Sequence, residues 1–142
     1  MTMHADTRKA QARLREGGFT CVLCREEQTH TATARGVAPL LRFLEDGTPT
    51  QDFCAADKVV GAGAAYLYVL LGVKEIWAEV ISTPALEVLT RYGISAHYEQ
   101  HVPQIRNRTG DGFCPIEAAV KEATDPEDAL ARIRRRLAEL KK

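Results

Sequence analysis

Two segments of this chain hold side chains whose types and spacing suit chemistry. The first is Ala56-Asp57-Lys58-Val59-Val60-Gly61-Ala62-Gly63-Ala64-Ala65. The second is Asn107-Arg108-Thr109-Gly110-Asp111-Gly112-Phe113-Cys114-Pro115-Ile116-Glu117. Each reads as the N-terminus of a helix. Asp57 is a good N-cap for a helix over residues 57–72, and Cys114 precedes a proline with Glu117 at the capping-box position. Helix N-termini present unpaired N–H groups and partial positive charge, so they hold anions and acidify thiols. Ser82-Thr83-Pro84 marks a third such start.

Brought together, these ends form an anion site. Lys58 and Arg108 supply charge, and Asn107 with the N–H groups of residues 110–112 completes a cradle for a phosphate or carboxylate. Cys114 is the candidate nucleophile, with Asp57 or Glu117 handling protons. Each residue also has an ordinary role: a helix cap for Asp57 and Cys114, a solvated charge for Lys58, turn chemistry for Asn107 and Arg108. Cys21 and Cys24 lie three apart on an expected strand, so they face opposite sides and read as core thiols. His30, His97 and His101 show no ligand spacing. Arg134, Arg135 and Arg136 are balanced by neighbouring acids and read as a solvated helix face.

Composition narrows the classes. The chain has 142 residues, 45% hydrophobic and 27% charged, which suits one globular domain. Nineteen basic and 19 acidic side chains cancel, which argues against a nucleic-acid binder that relies on bulk charge. No apolar run approaches the ~20 residues of a membrane span, and no signal-like h-region opens the chain. Four cysteines without a disulfide-scaffold spacing suit a reducing, cytoplasmic setting.

The elements that must position these residues follow from the pattern. Helix formers over residues 7–16 end at Gly17-Gly18. Strands over 19–25 and 29–33 flank a polar hairpin connection. Val37, Leu40, Leu41 and Leu44 sit at helical spacing. A strand over 75–81, a helix over 85–92, a strand over 94–102, a helix from Cys114 and a last helix over 125–141 complete the order. Gly61 and Gly63 inside the 57–72 helix each cost roughly 1 kcal/mol against alanine, so close approach to a sheet or a partner must offset them. Strands alternating with helices imply parallel pairing and right-handed crossovers. The expectation is one α/β domain over residues 1–142, a three-layer α/β/α sandwich on a mixed sheet of four to five strands, with its core at about 6–122.

The order of elements resembles the cytidine-deaminase-like fold. Gly36-Val37-Ala38-Pro39-Leu40, Ala56-Asp57-Lys58-Val59-Val60-Gly61, Val80-Ile81-Ser82, Val102-Pro103 and Cys114-Pro115-Ile116-Glu117 look like a small prokaryotic family of that fold, a domain of unknown function. The family implies no activity. True deaminases hold zinc with a His or Cys two residues before a catalytic Glu, and with Pro-Cys-x-x-Cys at the next helix start. Here Cys54-Ala55-Ala56-Asp57 places its acid one position late, and Ser82-Thr83-Pro84-Ala85-Leu86-Glu87 has no cysteine. Too few ligands remain for a catalytic zinc, so neither metal nor cofactor is expected.

Three readings follow. The favoured one is a small anionic, nucleotide-like ligand held at helix N-termini by Asp57, Lys58, Ser82, Asn107, Arg108 and Glu117. The second is a metal-independent enzyme using Cys114 and Asp57. The third is an interaction module, a homo-oligomer packing its Gly61-Ala65 face on a second copy.

Overall fold

The structure is a computed structural model that describes residues 2–106 and 114–141. Its elements run α1 (Ala5–Gly17), β1 (Cys21–Arg25), β2 (Gln28–Ala32), α2 (Ala38–Asp46), β3 (Cys54–Val60), α3 (Ala62–Leu71), β4 (Glu75–Ser82), α4 (Thr83–Arg91), β5 (Ser95–Val102), α5 (Pro115–Val120) and α6 (Pro126–Leu140). The strands form one mixed sheet in the order β2-β1-β3-β4-β5. β1 is antiparallel to β2 and β3, whereas β3, β4 and β5 are parallel. The α/β class and the helices on both sides of a mixed sheet match the sequence reading.

Local chemistry explains most boundaries. α1 is rich in Ala, Arg and Lys and stops at Gly18, whose φ of 68° suits glycine. β1 and β2 join through Glu26 and Glu27, with Arg25 opposite Gln28. Proline in the first turn of α2 and the left-handed Gly47 after it bound a short amphipathic helix. Ser82 caps α4 by accepting a hydrogen bond from Ala85 N–H at 3.2 Å. Asp125 caps α6 in the same way through Asp128 N–H at 2.7 Å.

The expected helix over residues 57–72 is corrected. Cys54–Val60 is the central strand β3, and α3 starts only at Ala62, with Gly61 as its cap residue. Asp57 is therefore not a helix cap. Ala, Asp and Lys are poor strand formers, yet pairing on both sides and burial override that preference. Small residues are what this position needs: Ala56 lies under Ala10 and Leu14 of α1, and Ala55 lies in the core on the α3 side. The sheet separates Cys21 and Cys24 onto these two faces, as their spacing implied.

α3 is buried almost all round, from Ala62 through Tyr68. The close approach that its glycines implied is made inside the chain. A Cβ on Gly63 would lie 2.8 Å from Ile116 Cγ2, and one on Gly61 would lie 2.5 Å from the Glu117 carboxyl. Glu117 is held there because it accepts from Ala62 N–H at 2.7 Å and Gly63 N–H at 2.9 Å. Gly61 and Gly63 thus meet α5 of their own chain. Glu117 does not cap its own helix, as the capping-box reading held, but the N-terminus of α3.

Gly61 has φ −98°, which any residue adopts, so only the contact opposes a side chain there. Gly61→Ala is expected to destabilise by about 1–3 kcal/mol, and Glu117→Ala by a similar amount through the lost N–H bonds. Denaturant unfolding of both variants and the double variant should show strong non-additivity: once Glu117 is gone, Gly61→Ala should cost less than half as much. Additive costs would mean that the two residues are not in contact.

Candidate functional site

A cavity of about 870 Å³ opens where β3 ends and α3 begins. In an open parallel arrangement, the carboxyl ends of the strands leave such a crevice. Besides β3, the start of α3 and Leu140 of α6, its walls come from four further places. Thr20 and Cys21 belong to the start of β1, and Arg35 to Leu40 to the connection into α2. Ile105 and Arg106 follow β5, and Cys114 to Glu117 open α5. The surface is mostly apolar, with Val37, Pro39, Leu40, Ala64 and Ile116 among its lining residues.

Asp57 lines this cavity and is only 8% exposed. Its Oδ2 accepts from the Tyr68 hydroxyl at 2.6 Å, and its Oδ1 accepts from Val59 N–H at 3.3 Å. Burial pushes its pKa up to about 7, although the hydrogen bond from Tyr68 favours the ionised form and pulls the other way. The Tyr68 oxygen lies 3.3 Å from Cys21 Sγ. Because Tyr68 gives its proton to Asp57, the thiol is the donor in that second contact. Burial holds both Tyr68 and Cys21 well above their ordinary ranges, so both stay protonated. A buried hydrogen-bonded chain of Cys21, Tyr68 and Asp57 therefore ends at the cavity surface.

The sequence candidates divide. Asp57, Lys58, Cys114 and Glu117 all border the cavity. Lys58 follows Asp57 on β3, so strand alternation sends its side chain to the α1 face. There it also lines a shallow hollow with Arg15, Trp77, Glu79 and Glu99. Ser82 is fully buried outside the cavity, with its hydroxyl spent on α4. Asn107 and Arg108 lie outside the described residues. Cys114 is half-buried at the start of α5, and its side chain caps nothing.

The α3 N-terminus, expected to receive a ligand anion, already holds the Glu117 carboxylate. Burial raises the Glu117 pKa, and its two N–H bonds offset part of that. The positive charge at the cavity comes instead from Arg35 and Arg106, both exposed at the mouth. Sequence reasoning missed these arginines and Tyr68. Tyr68 left one signal, shared with Tyr66: a hydroxyl in an otherwise apolar helix.

Residues 9–137 match the model of TM1506, the domain of unknown function DUF1893. The chain belongs to the DUF1893 family. A solved relative is the DUF1893 family protein TM1506 from Thermotoga maritima, 26% identical, with a TM-score of 0.82 over 97% of this chain and 92% of that one. Among curated proteins, none matches this DUF1893 chain at a significant score. Among the described residues, no helix is long and apolar enough to cross a membrane.

Asp57 makes a pH test available. Its folded pKa of about 7 exceeds the unfolded value, so the folded state binds that proton more tightly. Its contribution to stability is full below the unfolded pKa of about 3.9 and is lost as pH rises to the folded value. Melting temperatures of wild type and Asp57→Asn, taken from pH 4 to 8, should diverge across that window, with the variant gaining relative to wild type as pH rises. A constant difference would show that Asp57 does not titrate as its burial requires.

Proposed function

We propose that this DUF1893 chain binds a small nucleotide-like molecule in the cavity beside Asp57, without zinc. The observation that carries this reading is the order of chemistry across the cavity: a mostly buried carboxyl in the wall, apolar side chains around it, and two arginines at the mouth. A volume of about 870 Å³ lies in the range of small-molecule sites. A planar base packs against Val37, Leu40 and Ile116, and Asp57 accepts a hydrogen bond from a ring N–H or amino group. The phosphate points outward to Arg35 and Arg106, where bidentate contacts suit it. It does not sit on α3, because Glu117 occupies those N–H groups.

The parallel with the cytidine-deaminase-like fold supports a base-sized guest but carries no activity with it. The helix starts at Gly61-Ala62-Gly63-Ala64 and Ser82-Thr83-Pro84-Ala85 contain no thiol or imidazole, which supports binding without a deaminase-type zinc. Four unpaired cysteines fit a cytoplasmic setting.

Thermal shift against nucleoside monophosphates, nucleobases and sugar phosphates tests the reading. At least one nucleoside monophosphate should raise the melting temperature. Arg35→Ala with Arg106→Ala should weaken its affinity by about tenfold or more, since hydrogen bonds to a charged phosphate are lost, while Ser82→Ala should leave affinity unchanged. No shift with any compound in the panel would refute the proposal.

Cys114 offers a second readout. Cys21, Cys24 and Cys54 are buried, so iodoacetamide should label Cys114 first. The compound that shifts the melting temperature should slow that labelling, because Cys114 borders the cavity. Unchanged labelling at saturating ligand would place the bound molecule elsewhere.

A further inference from the structure

The opposite end of the sheet gathers a second set of reactive side chains. His4 precedes α1, Asp6 lies in its first turn, and Cys54 is the first residue of β3. One donor atom from each lies within 4.8 Å of the other two. We infer that the His4 imidazole, the Asp6 carboxylate and the Cys54 thiolate bind one divalent cation of the zinc type.

Distance and chemistry agree. His4 Nδ1 and Asp6 Oδ2 are 3.8 Å apart, and two ligands each about 2.0 Å from zinc stand no more than about 4 Å apart. Zinc–sulfur bonds are longer, about 2.3 Å, and rotation of the half-exposed His4 ring closes the remaining gap. A thiolate and an imidazole select zinc or cobalt over magnesium or calcium. Three protein ligands leave a fourth position for water.

A second observation points to a cation. The Asp6 side chain is only 13% exposed, yet among the described residues its carboxylate takes no hydrogen bond from an N–H or O–H donor. Facing it is Nδ1 of His4, whose lone pair already accepts from Asp6 N–H at 3.0 Å. A lone pair opposite a carboxylate is unfavourable, and a metal between them reverses the sign. Metal ligation takes over that lone pair and frees one N–H at an exposed helix start.

The positive end of α1 opposes a cation there. Two carboxylates, Asp6 and Glu75, oppose it, and Cys54 adds a third negative charge only once the metal displaces its proton. Glu75 accepts from His4 N–H at 2.7 Å and from the Thr7 hydroxyl, so it fixes His4 and the first turn of α1 that carries Asp6. The Thr7 hydroxyl also lies against the Cys54 thiol. On binding, the S–H bond of Cys54 breaks, its proton goes to solvent, and the sulfur electron pair forms the metal bond. Cys54 is buried beneath His4 and Asp6, so the metal enters from their side.

Cobalt(II) titration of the full chain, stripped of metal with a chelator, tests the inference. One equivalent should bind and give a near-ultraviolet thiolate-to-cobalt absorption band, which zinc(II) then displaces. Cys54→Ser should lose the band, and His4→Ala should weaken affinity at least tenfold. Cys24→Ser and Cys114→Ser should keep the band. His4→Ala also removes the α1 cap, so in chelator it should melt only a few degrees below wild type and still unfold cooperatively, which separates lost ligation from lost folding. Absence of a thiolate band in wild type, its survival in Cys54→Ser, or unchanged affinity in His4→Ala would each overturn the site.

Discussion

The Glu117 carboxylate on the N-terminus of α3 is the contact on which the cavity depends. α3 starts with glycine and alanine, which have no side chain to accept its first N–H groups. Those groups are buried, and leaving them unpaired would cost roughly 1–3 kcal/mol each. Glu117 satisfies two of them from 54 and 55 residues away along the chain. The absence of side chains at Gly61 and Gly63 is what lets it approach. One interaction therefore explains both the glycines of α3 and the position of α5, and α5 is the wall that turns the end of the sheet into a cavity.

Asp57 shows the opposite arrangement, a polar group tolerated where the fold would favour an apolar one. It sits in the central strand, between β1 and β4, on the face that α3 covers. Tyr68 and Val59 N–H supply its partners, and burial leaves it close to half-ionised near neutrality. A strand position of this kind gains nothing from a carboxyl that an alanine would not supply more cheaply. Retaining it makes sense if the carboxyl meets something in the cavity it borders.

Much of the fold was legible because local signals agreed with the tertiary outcome. Gly47, Ser82-Thr83-Pro84 and Asp125-Pro126 bounded α2, α4 and α6 through cap chemistry alone. β3 was not legible, since Ala55, Ala56, Asp57 and Lys58 favour helix or turn, and only pairing with β1 and β4 makes them a strand. That error moved Asp57 from a helix end to a sheet face. Asp57 to Val59, Gly61 and Cys114 to Glu117 do border one cavity, but Asp57 and Lys58 reach it from a strand and not from the helix end that the sequence suggested. The partner of Glu117 was not legible, because a capping box looks local in sequence whichever helix it serves. Arg35 and Arg106 lie in connections, where a charged residue looks like ordinary solvent-facing surface.

The charge order within the cavity also bears on how the proposed guest would lie. Glu117 holds the α3 terminus and repels a second anion from it, and Asp57, when ionised, does the same nearby. The arginines at the mouth attract one. Under the proposed reading, a molecule with an anionic end and a hydrogen-bonding aromatic end would enter ring first, with its charge left where water and guanidinium groups share it. A guest anionic at both ends would have to displace Glu117 and so expose the first N–H groups of α3. On that reading, the helix cap that holds the cavity wall would also set the polarity of the guest.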